Sequence, residues 1–110
     1  MKEWRFKRKY FEMIKSRLKK LEARLNYPSI CGVKVGDTIK FFWGDCSLNV
    51  RITGIRTYSN FQQMLENEEV NLLVPGLNKS RALEEYRKIY PDWKVEKYGG
   101  IRVFSFEIIA

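Results

Sequence analysis

"LKKLEARL", residues 18–25, passes from a mixed run of charges into a strict alternation of apolar and charged side chains. With the two-residue period of a β-strand, Leu21, Ala23 and Leu25 point to one face of this segment. The opposite face carries three charged residues, Lys20, Glu22 and Arg24. The alternation predicts a strand with one face on a core. It leaves two interpretations of the charged face open: a solvated ladder of ion pairs, or the wall of a pocket.

Strands and helices are predicted to alternate on both sides of this segment. Strands are expected over residues 3–9, over residues 38–43 and 47–58 as a hairpin joined by "GDC" (44–46), and over residues 101–109. Helices are expected over residues 10–18, 61–69 and 81–90, with Ser59 or Asn60 capping the second and Ser80 the third. Residues 26–37 are expected to form a loop. Strands spread from end to end, with helices inserted, favour a small mixed α+β barrel over a doubly wound sheet.

Length and composition limit the class of protein. A chain of 110 residues with 45% hydrophobic residues is expected to form one globular domain over residues 1–110. No apolar run approaches the roughly 20 residues of a membrane-spanning helix, and the start "MKEWRFKRKY" has no apolar signal-peptide segment. We therefore expect a cytoplasmic protein without a membrane partner, in which Cys31 and Cys46 are free thiols.

The chain contains no histidine, which excludes several catalytic classes. Ser–His–Asp and Cys–His nucleophile pairs are impossible, and two separated cysteines cannot build the usual four-ligand zinc site. Neither a phosphate-binding loop of the Gly-x-x-x-x-Gly-Lys-Ser/Thr type nor a Gly-x-Gly-x-x-Gly motif occurs. We expect no metal and no cofactor, so any catalysis would depend on lysine, carboxylate, hydroxyl or thiol groups.

Positive charge is concentrated near the start of the chain. The net charge is +8, and ten of the 21 Lys and Arg residues lie within residues 1–24 beside three glutamates. Such a concentration attracts polyanions, and it favours a nucleic-acid partner over a merely solubilising surface. The predicted phosphate contacts are Lys7, Lys9, Lys15, Arg17 and Lys20. Aromatic residues that could stack on a base are Trp4, Tyr10, Tyr27 and Trp43, each with a core position as its alternative.

Several motifs in order carry a resemblance to a known family. The segments "KKLEARL", "VKVGDTIKFFW", "VRITGIRTYSNFQQMLENEE", "EEYRKIYPDW" and "GIRVFSFEI" resemble the ASCH (activating signal cointegrator homology) family of the PUA-like superfamily. The corresponding residues are Lys19, Leu21, Glu22, Arg24, Gly36, Asp37, Ile55, Arg56, Tyr58, Phe61, Met64, Leu65 and Glu68. The resemblance covers nearly the whole chain. It implies a small PUA-like β-barrel of five or six strands with inserted short helices.

The resemblance also implies a function in RNA metabolism. In such a domain the charged face of the 21–25 strand faces a basic cleft that binds RNA or a modified nucleoside, with Lys19, Glu22, Arg24, Arg56 and Tyr58 as ligand-binding residues. One branch of the family consists of amidohydrolases that deacetylate acetylcytidine-type nucleosides with a lysine, a threonine and a glutamate. Lys19 and Glu68 match the lysine and the glutamate, whereas Glu22 occupies the threonine position. The catalytic set under this alternative is therefore Lys19, Glu22 and Glu68, with Glu22 assisting attack by water.

Glu68 is expected to need a partner. Phe61, Met64 and Leu65 lie at core-facing helix positions, and Glu68 follows them on the same face. A carboxylate at the edge of a core costs free energy unless it is paired, and Arg24, Arg56 and Lys19 are the candidates. We predict that Lys19, Glu22, Arg24 and Glu68 form one charged cluster. The functions that remain are an RNA- or nucleotide-binding module, a small amidohydrolase and a protein-interaction domain.

Overall fold

The computed structural model describes residues 1–109, and Ala110, the last residue of the predicted domain, lies outside this range. Within it the strands are β1 (Lys2–Arg5), β2 (Leu21–Leu25), β3 (Thr38–Trp43), β4 (Cys46–Tyr58) and β5 (Ile101–Ile108). The helices are α1 (Arg8–Lys15), α2 (Pro28–Cys31), α3 (Phe61–Asn67), α4 (Val70–Leu73), α5 (Lys79–Ile89) and α6 (Asp92–Lys97).

The five strands form one sheet in the order β1-β3-β4-β5-β2. β1 pairs with β3 in parallel, and the other neighbours are antiparallel. The sheet curls into a half-barrel, which confirms the predicted α+β class and the small PUA-like barrel. β1 and β2 are its two edges, and the curl brings them together at a seam, where an Arg24 guanidinium nitrogen donates to the carbonyl of Arg5.

Each face of the sheet packs on its own hydrophobic cluster. Val103 and Phe104 are consecutive in β5, so they point to opposite faces, and both are fully buried. Val103 belongs to the cluster under α3–α6, together with Leu21, Ala23 and Leu25, which confirms the predicted apolar face of β2. Phe104 belongs to the second cluster, which packs against α1 and α2.

The structure corrects the prediction for the start of the chain. β1 ends at Arg5 rather than at residue 9, and α1 begins at Arg8 rather than at residue 10. The helix ends at Lys15 because Arg17 adopts a left-handed backbone with φ 66°, and the amides of residues 18 and 19 both donate to the Met13 carbonyl. Leu18, the last residue of the predicted helix, therefore lies outside α1 and is 59% exposed.

Other boundaries follow local capping chemistry. Asn60 caps α3 by accepting from the amide of Gln63, as predicted, but the helix ends at Asn67 rather than at residue 69. The cap of α5 is Asn78, two residues before the predicted cap Ser80. The Asn78 side chain accepts a hydrogen bond from the amide of Arg81. The short helices α2, α4 and α6 were not predicted, and α2 lies inside the predicted loop 26–37.

Three further observations concern membrane-spanning helices, the two cysteines and potential metal ligands. No helix in residues 1–109 is long and apolar enough to cross a membrane. Cys31 and Cys46 are free thiols at the surface, as predicted. No group of three or more potential metal ligands of the Cys, Asp or Glu type occurs in the described part of the chain.

Candidate functional site

A cleft opens along the seam between the two edge strands. It has a volume of about 170 Å³ and lies between the end of β1, the start of α1, strand β2 and the last turns of α5. Its aromatic lining residues are Phe6, Tyr10, Tyr86 and Tyr90. Its charged lining residues are Arg5, Lys7, Lys19, Glu22, Arg24 and Glu85. Glu22 and Arg24 thus line a pocket wall, which answers the question raised by the charged face of β2.

Lys19 lies at the inner end of this cleft with its side chain 3% exposed. Its Nζ donates to the carbonyls of Leu21 and Leu73, each at 2.6 Å, and lies 3.1 Å from a carboxylate oxygen of Glu22. An ammonium has three donors, so these three acceptors use all of them. Burial lowers the pKa of Lys19, although the Glu22 carboxylate opposes that shift.

Arg24 and Glu22 close the seam from the β2 side. Glu22 joins Lys19 to Arg24, whose Nε donates to the second carboxylate oxygen at 2.9 Å. The Arg24 guanidinium also donates to the Arg5 carbonyl at 3.1 Å and lies about 5 Å from the ring centres of Trp4 and Phe6. We call this arrangement of Lys19, Glu22 and Arg24 the seam cluster. It places a carboxylate with two cationic partners beside the aromatic part of the cleft.

Three tyrosines face the seam cluster. Burial raises the pKa of Tyr10, Tyr86 and Tyr90, and the negative charge of Glu22 raises each of them further. Phe61 positions the α5 pair, since its ring stacks on Tyr86 at 4.7 Å and on Tyr90 at 5.8 Å between centroids. The phenols are therefore neutral at physiological pH and offer ring faces and hydroxyl groups.

A second charged cluster lies elsewhere. Glu68, with its side chain 5% exposed, accepts from Nε and the terminal nitrogen of Arg56 at 2.7 and 2.8 Å, and from the hydroxyl of Tyr58. Arg56 also donates to the hydroxyl of Ser105 at 2.8 Å. Burial alone would raise the pKa of Glu68, but the hydrogen bonds from Arg56 and Tyr58 and the arginine charge outweigh it and lower that pKa. We call Arg56, Tyr58, Glu68 and Ser105 the buried cluster after the buried carboxylate of Glu68, although the side chain of Arg56 is 37% exposed.

The predicted single cluster of Lys19, Glu22, Arg24 and Glu68 is therefore wrong. Arg56 lies opposite Val103, on the face covered by α3–α6, whereas Glu22 lies opposite Phe104, on the other face. A register shift between Ile52 and Gly54 causes this separation, because one extra residue moves everything after it to the opposite face. Glu68 has the predicted need for a partner, and Arg56 fills it. Arg56 and Tyr58, predicted to bind ligand, do not line the cleft.

The predicted phosphate-binding residues are all exposed and form two groups at the ends of α1. Lys7 lines the cleft, and the Nζ of Lys9 lies 5.6 Å from the ring centre of Tyr10. At the other end, Arg17 and Lys20 border a second depression with Phe106 and Ile108, and Lys15 occupies the last turn of the helix.

Of the four predicted stacking residues, only Tyr10 lines the cleft. Trp4 is a core residue, Tyr27 packs edge-on against Tyr98 with ring centroids 4.7 Å apart, and Trp43 lies at the end of the β3–β4 hairpin. Sequence reasoning missed Tyr86 and Tyr90. Tyr90 is the C-cap of α5, four residues after Tyr86, and its amide donates to the Tyr86 carbonyl. This spacing is the signal that could have found them.

Comparison with protein families identifies the chain. The ASCH domain model matches residues 6–109, which is nearly the whole chain. The protein belongs to the ASCH domain family. Two solved structures share the fold of this ASCH domain.

The Pyrococcus hypothetical protein PH0355, known from a crystal structure, is 36% identical to this ASCH domain with a TM-score of 0.88. That alignment covers 99% of this chain and 100% of the other. The protein PF0455 from Pyrococcus furiosus, known from a solution NMR structure, is 34% identical with a TM-score of 0.76, and 97% of each chain is covered. Among curated proteins, none matches this ASCH domain significantly.

Proposed function

We propose that this ASCH domain binds single-stranded RNA, or a nucleotide from it, and holds one base in the seam cleft. The observation that carries the proposal is the coincidence of an aromatic cleft of single-ring size with the basic start of α1. A cavity of about 150 Å³ in a protein core accommodates benzene. The cleft, at about 170 Å³, therefore has room for one six-membered ring.

The chemistry of the cleft suits a base better than an aliphatic ligand. Tyr10 and Tyr90 are partly exposed and supply ring surface, and single-stranded RNA is recognised chiefly by stacking of splayed bases on aromatic side chains. The basic side chains Arg5 and Lys7 lie at the same cleft, where they can meet the phosphates on either side of a bound nucleotide.

Phosphate contacts can continue along α1. The helix has eight residues and is therefore about 12 Å long, and it separates Lys7 and Lys9 from the second basic group, Lys15, Arg17 and Lys20. This distance corresponds to a few nucleotides of an extended strand. The two groups together provide a basic path that leads away from the cleft.

The amidohydrolase alternative gains no support from this geometry. All three donors of Lys19 are used by fixed acceptors, and Glu68 is paired with Arg56 away from the cleft. The position of the hydroxyl nucleophile is occupied by Glu22, which is itself held by two cations. Binding is the function that these side chains support best.

Salt dependence tests the phosphate contacts. Fluorescence anisotropy with a short oligouridine should give a log–log slope of affinity against salt of about −2 to −3.5, because each phosphate contact to a single strand contributes roughly −0.7. The double variant Lys7→Gln, Lys9→Gln should lower the affinity and reduce the slope by about 1.4. The matched double variant Lys34→Gln, Lys79→Gln removes the same charge from exposed positions outside the cleft. An equal loss in both variants would contradict a specific basic path.

Stacking is tested separately by Tyr90→Leu. This change should weaken binding by about 1–3 kcal/mol without changing the salt slope, because it removes a ring face and no charge. Tyr98→Leu is the control, since Tyr98 packs on Tyr27 outside the cleft. A Tyr90→Leu variant that binds oligouridine as tightly as the parent would contradict base stacking in the cleft.

A further inference from the structure

The main chain of β2 at Ala23 has a special position in the β2–β5 ladder. Leu25 lies opposite Ile101, and the next amide, that of Asn26, donates to the carbonyl of Gly100 at 3.1 Å. Opposite residues in an antiparallel ladder alternate between pairs that exchange hydrogen bonds and pairs that do not. The backbone groups of Arg24 and Glu22 therefore point toward β5, and those of Ala23 point away from it.

The neighbouring outward carbonyls have partners, but Ala23 has none. Leu21 accepts from the Nζ of Lys19 at 2.6 Å, and Leu25 accepts from the amide of Tyr27 at 2.8 Å. Because β2 is an edge strand whose ladder runs only to β5, no hydrogen bond within residues 1–109 satisfies the N–H or the C=O of Ala23. Ala23 is only 5% exposed, and a buried backbone group without a partner is costly. A bound molecule can supply that partner.

These two backbone groups face the cleft. Ala23 lines the cleft, while its methyl group belongs to the hydrophobic cluster under α3–α6 together with Leu21 and Leu25. The cleft lies along the free edge of β2, and the N–H and C=O of Ala23 point toward that edge because they point away from β5. The neighbouring polar side chains Lys19, Glu22 and Arg24 are already paired with one another or with carbonyls. The Ala23 N–H and C=O are therefore a main-chain donor and acceptor in the cleft wall that the described residues leave unpaired, beside the tyrosine hydroxyls.

We propose that the Ala23 main chain reads the Watson–Crick edge of one unpaired pyrimidine base. A base edge presents an acceptor and a donor side by side, which complements the donor and acceptor of one outward-facing strand residue. The volume of about 170 Å³ gives the single ring of a pyrimidine enough room beside Ala23. This inference rests on the proposed function and deepens it, because it names the ligand class as unpaired pyrimidine and assigns its recognition to main chain.

The ligand side of the test uses RNAs that offer a single base. Three five-nucleotide RNAs carry abasic sugars on both sides of a central uridine, 3-methyluridine or 5-methyluridine. Both methylated bases have the same added group, but only the 3-methyl group blocks the Watson–Crick edge. We expect 3-methyluridine to bind roughly tenfold more weakly or worse than uridine, and 5-methyluridine to bind within about threefold of it.

The protein side of the test removes one N–H group. Cys31 permits ligation of a synthetic segment 1–30 to residues 31–110, and the synthetic segment can carry an ester in place of the Glu22–Ala23 peptide bond. The ester variant should bind all three RNAs as weakly as the parent protein binds the 3-methyluridine RNA. The control is an ester at the Pro28–Ser29 bond, in the first turn of α2 and outside the cleft, where the N–H of Ser29 has no intrahelical partner.

The outcomes separate this inference from the proposed function. If uridine binds and 3-methyluridine binds equally well, edge recognition is overturned while RNA binding stands. If the 3-methyl group weakens binding but the Ala23 ester does not, the assignment to Ala23 is overturned. If no single-base RNA binds although oligouridine does, base capture in the cleft is overturned. Failure of every RNA to bind overturns the proposed function itself. If the ester variant fails to fold, the comparison of methylated RNAs still decides edge recognition.

Discussion

The seam cluster and the buried cluster have similar chemistry and opposite surroundings. In each, an arginine binds a glutamate within 3 Å, and in each the cation also reaches a further oxygen acceptor. The seam cluster borders an open cleft with three tyrosines, whereas Glu68 is covered and receives its phenol, Tyr58, as a direct partner. The comparison shows that residue type does not distinguish a binding wall from a structural ion pair. The backbone register decides which of them meets a cleft.

The largest effect should come from the buried ammonium of the seam cluster. Lys19→Met keeps the length of the side chain but leaves two carbonyls and Glu22 without their donor. We expect the free energy of unfolding to fall by about 3–5 kcal/mol in urea titrations, because one partner of a buried ion pair is lost. Lys20→Met, at the exposed neighbouring position, should change it by less than about 0.5 kcal/mol. Equal, small effects of both changes would mean that Lys19 is not an anchor.

A double-mutant cycle tests whether the two clusters are independent. Glu22→Gln and Glu68→Gln should each cost about 1–3 kcal/mol of stability, because each leaves a charged partner unpaired. Their effects should add within about 0.5 kcal/mol, since the two carboxylates share no partner. By contrast, Glu22→Gln should be non-additive with Lys19→Met by at least that amount. Strong coupling between positions 22 and 68 would restore the single cluster that the sequence predicted.

Acid sensitivity should report on the buried cluster. The pKa of Glu68 is lowered from its ordinary value of 4.5, so the folded protein holds this carboxylate ionised at a pH where the unfolded chain has begun to protonate it. The resulting stability is present above that ordinary value and is lost as the pH falls through the folded-state pKa. The stability difference between the parent and Glu68→Gln should therefore shrink between about pH 6 and pH 3. A difference that stays constant over this range would contradict the lowered pKa.

The smallest effect concerns the turn that carries Lys19 into the core. Arg17 has φ 66°, a left-handed conformation that costs an ordinary residue about 1 kcal/mol relative to glycine. Arg17→Gly should raise stability by about that amount and reduce the salt slope of RNA binding by about 0.7. Arg17→Gln is the matched control, because it removes the charge and keeps the strained backbone. If Arg17→Gly is no more stable than Arg17→Gln, the turn does not store this strain.

Much of the fold could be predicted because its signals are local. The alternation in β2, the hairpin around residues 44–46 and the Asn60 cap depend on neighbouring residues, and each appears where the sequence indicated. The register of β4 depends on one extra residue beside Gly54, and a strand glycine is the only local sign of such a bulge. Without the bulge, the alternation would have placed Arg56 on the face of Glu22.

The candidate site was predicted in part for the same reason. Glu22 and Arg24 follow directly from strand alternation, and both line the cleft. Tyr86 in α5 and Tyr90 at its C-cap lie more than sixty residues away in the chain, and only the tertiary fold brings them to the seam. The burial of Lys19 likewise depends on α4, whose Leu73 carbonyl accepts one of its protons. Contacts between distant segments are invisible to periodicity.

The closure of the half-barrel by Arg24 has a consequence for motion. β1 is held by a ladder on one side only, while its other edge is joined to β2 by one guanidinium group instead of a row of amides. This segment of four residues therefore has fewer backbone hydrogen bonds to lose on opening than an inner strand, and the packing of Trp4 on Phe41 and Phe104 is what holds it in the core. A ligand in the cleft that touches Phe6, next to β1, and Tyr86, on α5, would add a second connection between the N-terminal strand and the rest of the fold. Ligand binding would then slow the hydrogen exchange of the backbone amides of β1.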